Sequence, residues 1–391
     1  MDRIELMDVH GRVDLLLIAA ECSGDELGAG LIADYRQLHQ NAVICAVGGI
    51  QMAAEADHFL HNMVSRSVMG IVEVLRHWRF FYNFIQKIVA WVEKHRPKCI
   101  CFIDSPSLNL RIARELVERG IGKKGGGPIP LCYYVAPQIW AWKPRRRFVM
   151  AKYIDALAVL FPFEAESFAD TSLPVTYTGH PLLRTARAGL VHYEKNGKIL
   201  LLPGSRKTVV RRLFPTMLAA AADGALSDVR EFLCLYPTED IRQILHAELV
   251  NAPNVAEKIK LISIAEANQC SVGAQAVIVN AGTMSLRCAL EGIPGVIIYR
   301  THPATYWIGK KLVKTPYLGI ASILLGYEFY PEYLQNGAQP KILAEQVARF
   351  LRARKEFATI AEELRRILTH PGETTAQWLR TCFLDLSDNS D

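Results

Sequence analysis

Short apolar, β-branched runs alternate with longer amphipathic stretches along almost the whole chain. Runs at 13–20, 43–49, 98–104, 129–137, 156–163 and 174–180 are predicted strands, and a second series follows at 198–204, 230–237, 258–265, 274–282 and 295–300. Most gaps have helical spacing, as in 109–120. Strands that alternate with helices predict parallel sheets joined by right-handed crossovers. These strands are too many for one doubly wound sheet of usual size, and the polar stretch Leu183–Gly197 separates the two series. The predicted fold is therefore α/β, with two Rossmann-like domains facing across a cleft, residues 1–185 and 186–368. Helical spacing continues through 342–368, and a last helix within 369–391 has an apolar face. That helix either returns to the first domain or packs on its own domain or another subunit. The glycine-rich loop Gly122–Pro128 precedes a strand, so it reads as a solvated crossover rather than a phosphate loop.

Composition narrows the class. A chain of 391 residues, half of them hydrophobic, supports two cores. No apolar run approaches the roughly 20 residues that span a bilayer, and the charged first twelve residues do not read as a secretory signal. Nine scattered cysteines without C-x-x-C pairs suggest reduced, buried thiols in the cytosol rather than disulfides or zinc. The net charge of +6 permits an anionic ligand or membrane surface without requiring nucleic acid. The histidines, His77 and His192 among them, have no partners at metal-ligand spacing. His180 ends a strand, where core packing or a ligand contact would each suit it.

Four strand ends carry candidate chemistry. After 13–20 come Glu21, Cys22, Ser23, Gly24 and Asp25, with a helix expected from near Leu27. Such a turn lies at the carboxyl edge of a parallel sheet, where open α/β sheets bind ligands. Its two carboxylates and hydroxyl suit a hydroxyl-rich ligand better than a bare phosphate, and it lacks G-x-G-x-x-G. The run 98–104 ends in Asp104, a candidate general base; its structural alternative is a helix N-cap, a duty Ser105 or Ser107 could equally take. In 198–215 a strand leads through Gly204, Ser205, Arg206 and Lys207 into a helix, which suits a diphosphate as well as it suits an ordinary basic helix start. In 278–290 the turn Asn280–Thr283 repeats that logic, and two such turns in one domain would converge on a nucleotide diphosphate.

Two further segments mix aromatics with cations. In 133–153, Tyr133, Trp140 and Trp142 stand beside Lys143 and Arg145 to Arg147, a composition for sugar stacking, for phosphate, or for a buried anchor with a basic rim. In 65–92, Trp78, Phe80, Phe81 and Phe84 accompany Arg66, Arg76 and Arg79, which fits either an interfacial membrane contact or a buried helix.

Taken in order, AECSGD, SVMGIVEVLRH, FIDSPSLNL, YYVAPQIWAW, LFPFE, TGHP, LLPGSRK, AGTMSL and TPYLGIASILLGYEF resemble the lipid-A-disaccharide synthase family from about Val13 to Gln335. The resemblance implies a glycosyltransferase-B fold with no metal and no cofactor, on a cytoplasmic enzyme held peripherally on the inner membrane. It implies an inverting transfer of 2,3-diacylglucosamine from UDP to the 6-hydroxyl of 2,3-diacylglucosamine 1-phosphate, giving a β-1,6 disaccharide 1-phosphate and UDP. The implied partners are those two lipids and the inner-membrane surface, without nucleic acid; homo-oligomer formation is left open. By position, Asp104 matches the family's proposed general base. Glu21, Ser23, Gly24, Asp25, Met69 and Gly70 match acceptor-side positions, and Gly204, Ser205, Arg206, Gly282, Thr283 and Glu328 match donor-side positions. Arg287 stands where relatives usually carry Glu, Ser322 where they often have Asn, Tyr327 where they often have Arg, and Val209 where they often have Glu. Those departures leave open a related glycosyltransferase with a changed donor, or a non-catalytic lipid-binding paralogue.

Overall fold

The computed structural model describes residues 4–64, 78–183, 190–302, 306, 315–351, 354–370 and 372–385. The chain forms two compact units, Met1–Pro181 with the segment from His370 onward, and Leu182–Thr369.

The first unit is a seven-stranded sheet of β1 (Leu15–Ala19), β2 (Ile44–Gly48), β3 (His58–Asn62), β4 (Cys99–Ile103), β5 (Leu131–Tyr134), β6 (Ala156–Val159) and β7 (Val175–Tyr177). Its order is β3-β2-β1-β4-β5-β6-β7, and neighbouring strands are parallel. Every residue of β1, β2 and β4 is buried, as expected for strands covered on both faces by crossover helices. The chain winds outward from β1 in one direction and from β4 in the other. Their adjacent carboxyl ends are therefore a topological switch point.

The second unit repeats this plan with β8 (Val191–Leu202), β9 (Phe232–Tyr236), β10 (Ile259–Ser263), β11 (Val272–Asn280), β12 (Gly295–Tyr299) and β13 (Glu332–Leu334). The order β10-β9-β8-β11-β12-β13 puts its switch point between β8 and β11.

Several boundaries differ from the sequence reading, each for a physical reason. The strands β3 and β13 are not predicted; both lie at sheet edges, where one partner suffices and the apolar demand is lower. The strand β8 starts inside the stretch expected as a linker. Val191 and His192 pair with Val272 and Gly273, and the ladder resumes at Lys198 with Ala274. The intervening residues loop out as an irregularity, with Glu194, Lys195 and Asn196 exposed. The first helix runs Cys22–Leu38, so Ser23, Gly24 and Asp25 form its first turn rather than a preceding loop. The stretch 342–368 is two helices, Pro340–Phe350 and Arg354–Leu368.

The helix Thr375–Asp385 packs against Cys22–Leu38 within the first unit. Thr178 and Thr375 hydroxyls lie 2.9 Å apart, and the Tyr177 and His370 rings are 4.7 Å apart. In the helix Trp78–His95, Phe84 is fully buried, and Phe80 and Phe81 pack against the core. For those three aromatics core packing replaces the membrane alternative. Residues 65–77 of that candidate membrane face, Met69 and Gly70 among them, lie outside the described residues.

Asp25 is buried, and its carboxylate accepts three backbone N–H bonds, from Gly49 (2.7 Å), Met52 (3.0 Å) and Gln51 (3.1 Å). It thereby caps the helix Ile50–Glu55 from another element, since Gly49 has no side chain to do so. Asp25→Ala is expected to lower unfolding free energy by about 2–3 kcal/mol in urea titrations, the worth of hydrogen bonds to a charged group. A loss below ~0.5 kcal/mol would remove the capping role.

Candidate functional site

At the first switch point, helix Cys22–Leu38 starts directly over the ends of β1 and β4. A Cβ on Gly24 would stand 3.2 Å from Ala19 Cβ and 3.6 Å from Ile103 O, so a small residue lets the helix start sit this close. Glu21, in extended conformation, and Ser23 are half-buried at this edge. Ile103 precedes Asp104, so the structure brings Glu21, Ser23, Gly24 and Asp104 together. Asp25 belongs to the same turn, but its carboxylate is committed to the Gly49–Met52 backbone.

The end of β4 is strained. Asp104 and Ser105 have φ of 47° and 49°, and Val135 at the end of β5 has φ of 73°, values that non-glycine residues rarely adopt. A wholly buried Asn109 holds the turn. Its Nδ2 donates to Asp104 O (2.8 Å), Ile103 O (3.2 Å) and Ile18 O (3.3 Å), which also ties β4 to β1. The Tyr133 hydroxyl donates to Asp104 O, and Asp104 N donates to Tyr134 O at 3.0 Å. The N-cap of helix Pro106–Glu118 is Ser105, whose own side chain makes no capping bond, so the N-cap position falls to Ser105 rather than to Asp104.

Sequence reasoning passed over Asn109 and Glu164. Glu164 follows β6 at the same edge and is buried. Burial pushes its carboxyl up to about 7, and the Asp104 charge adds to this, against hydrogen bonds from Phe161 N and Leu160 N. Its Oε2 accepts from Leu160 N and Phe161 N, both at 3.1 Å. Trp140 packs edge-on to Phe163, and Phe161 lies 5.4 Å from the ring of buried His180. Nothing in the local pattern around LFPFE separates a buried acid from a solvated one.

At the second switch point the two glycine turns meet. Gly204 has φ of 107°, and a Cβ there would lie 3.0 Å from Asn280 Nδ2. Asn280 Oδ1 is buried with no hydrogen-bond partner among the described residues. Helix Lys207–Ala221 starts behind Arg206, and helix Thr283–Leu290 behind Gly282, neither with a side-chain cap. Ser205, Arg206, Gly282 and Thr283 are exposed, so two helix N-termini present backbone N–H groups and positive dipole ends to one place. Lys207 is drawn aside by an ion pair with Asp240 at 2.6 Å.

Glu328 is not brought to these turns. It is exposed in the segment entering β13, whereas both glycine turns leave strand ends. Two of the departures have local uses: Ser322 Oγ accepts from Phe329 N (3.0 Å), and the Tyr327 hydroxyl donates to Glu363 (2.9 Å).

Two all-parallel α/β units of this kind define the glycosyltransferase-B class. Solved structures of similar fold include S. aureus MnaA with UDP (TM-score 0.61, 11% identity, 97% of this chain and 99% of that one). Another is the spinosyn rhamnosyltransferase SpnG with thymidine diphosphate (TM-score 0.54, 14% identity, 95% and 99%). Within that class the family model described as lipid-A-disaccharide synthetase matches residues 15–384, and the chain belongs to this family. Relatives include lipid-A-disaccharide synthases of Coxiella burnetii, 32% identical over 86% of this chain and 88% of the relative. That of Acidobacterium capsulatum is 31% identical over 92% and 93%.

Glu164 carries a pH signature. Its folded pKa lies above its ordinary value of 4.5, so its contribution to stability is complete below that value and is lost as pH rises through about 7. The loss is on the order of 3 kcal/mol. Glu164→Gln keeps an acceptor without a charge, so wild type should lose stability relative to the variant in urea titrations from pH 5 to pH 8. A constant difference across that range would mean that Glu164 is ionised throughout.

Proposed function

We propose that the chain transfers 2,3-diacylglucosamine from UDP to the 6-hydroxyl of 2,3-diacylglucosamine 1-phosphate, forming a β-1,6 disaccharide 1-phosphate. Family membership supplies the reaction. The observation that carries the residue roles is the packing of the Gly204 turn on Asn280, where a Cβ on residue 204 would meet Asn280 Nδ2 at 3.0 Å, beside two helix starts whose N-cap side chains make no capping bond. A diphosphate with charge gathering on its leaving oxygen is the ligand such a point favours.

In this reading Arg206, Ser205, Gly282 and Thr283 hold the UDP diphosphate. Asp104 accepts the proton of the attacking hydroxyl, and attack on the anomeric carbon inverts it as UDP leaves. Glu21 and Ser23 bind acceptor hydroxyls beside Asp104. The strain at Asp104–Ser105, fixed by Asn109, supports a functional turn, because such outliers persist where surrounding structure over-determines them. No described helix is long and apolar enough to cross a membrane. We assign the chain a peripheral place on the cytoplasmic face of the inner membrane, with residues 65–77 as its candidate contact.

The direct test incubates purified protein with UDP-diacylglucosamine and the lipid monosaccharide 1-phosphate; disaccharide and UDP should appear together. Asp104→Asn should fold normally and lose roughly 10²–10⁴-fold in turnover, the usual contribution of acid–base catalysis. Near-native turnover would remove Asp104 from the chemistry. Arg206→Ala should weaken UDP binding by about 1.5–3 kcal/mol in calorimetry, and unchanged affinity would move the diphosphate away from the Gly204 turn.

A further inference from the structure

A second cavity-bearing surface of the first unit has no role in the reading above. Leu110, Lys143, Pro144, Arg145, Arg146 and Val149 line an open cavity of about 510 Å³. Its cationic side is not neutralised: among the described residues, Lys143, Arg145 and Arg146 make no ion pair with a carboxylate. Arg147 differs, because it forks onto Asp170. Lys143 Nζ instead stands 4.3 Å over the Trp142 ring, and Arg146 lies 5.8 Å from that ring.

The apolar side is equally unusual. Val149, which lines the cavity, is 44% exposed, and Trp142 and Phe148 in the same segment but outside the lining are 39% and 48% exposed; they are three of the ten large hydrophobics exposed among the described residues. A merely solvated basic rim has no reason to gather them. Cations disfavour a neutral sugar as occupant, and the apolar wall of Leu110, Pro144 and Val149 is wasted on a bare inorganic ion. Both are satisfied by one ligand class, an amphiphile with an anionic headgroup. Arginine pairs favour a phosphomonoester through forked contacts, and the volume is that of a small-ligand pocket.

The cavity is linked to the candidate base through the helix that follows it. Leu110 lies one turn into the helix that begins after Asp104 and Ser105. The charges of Asp104 and Arg146 act in opposite senses on the same Tyr133 hydroxyl, which bonds to Asp104 O. We propose that the pocket of Lys143, Arg145 and Arg146 binds the phosphomonoester headgroup of an anionic amphiphile, with its apolar part against Leu110 and Val149. Resting on the function proposed above, that headgroup is the 1-phosphate of the acceptor, and the pocket presents the far side of the sugar to Asp104.

The test uses the purified full chain and calorimetry with monomeric decyl phosphate, inorganic phosphate and octyl glucoside. Decyl phosphate should bind at least ~10-fold tighter than either control. Arg145→Gln with Arg146→Gln should weaken it by roughly 10-fold or more, while UDP affinity stays unchanged. In disaccharide synthesis the same double variant should raise KM for the lipid 1-phosphate by a similar factor, leaving kcat and the donor KM in place. Unchanged decyl phosphate binding in the variant overturns the proposal, as does equal binding of inorganic phosphate and decyl phosphate by wild type. Loss of binding to anionic vesicles with decyl phosphate affinity and KM intact also overturns it, since the cations would then serve the membrane. A wild type that binds decyl phosphate through these arginines but forms no disaccharide supports the pocket and removes the acceptor assignment instead.

Discussion

Burial of the central strands on both faces is the constraint from which the other features follow. Every residue of β1, β2 and β4 is buried, as is most of β11. A polar side chain within such a strand would lose its water without gaining a partner. Chemistry is therefore driven to the strand ends, and parallel connections put the exits of all strands on one edge. Where the winding direction reverses, neighbouring connections diverge and leave room. Both units place their candidate residues at that reversal: Glu21 and Asp104 after β1 and β4, Gly204 and Gly282 after β8 and β11.

The two reversals are built differently. In the second unit, glycine at 204 and the small residues beside it keep the backbone accessible, and helix starts supply the charge complement. In the first unit, the backbone is forced into positive φ at Asp104, Ser105 and Val135. Each such residue costs on the order of 1–3 kcal/mol, more than the roughly 0.5–1.5 kcal/mol returned by one hydrogen bond. Local bonding alone does not hold the turn. Asn109 works because it is itself wholly buried and bonds carbonyls on both β1 and β4, so relaxing Asp104 would disturb the centre of the sheet.

What could be read from the sequence was whatever is encoded locally. The apolar runs of the inner strands, and the glycine turns at 204 and 282, announce themselves within a few residues. The edge strands β3 and β13 do not, since His58–Asn62 and Glu332–Leu334 are only half-buried. The role of Asp25 was misjudged for a related reason. Its neighbours suggest a ligand turn, but its partners Gly49, Gln51 and Met52 come from a distant helix start. Asn109 and Glu164 went unnoticed because an amide in a helix and an acid after a strand acquire meaning only from what surrounds them in three dimensions.

The departures in the donor half can be weighed the same way. A chain drifting from catalysis would relax the features that cost stability and leave mismatched polar groups where side chains have changed. Neither pattern is present at Ser322 or Tyr327. Ser322 is buried but bonded to Phe329 N, and Tyr327 ties its loop to Glu363. Meanwhile the costly elements stand: the positive-φ pair Asp104–Ser105, the glycine at 204 that admits Asn280, and the buried Asn280 acceptor beside it, which has no hydrogen-bond partner among the described residues. A ligand at each switch point, as proposed above, would account for all three. Strain and buried polarity at two switch points, with Ser322 and Tyr327 bonded elsewhere, favour a working transferase over a decayed one.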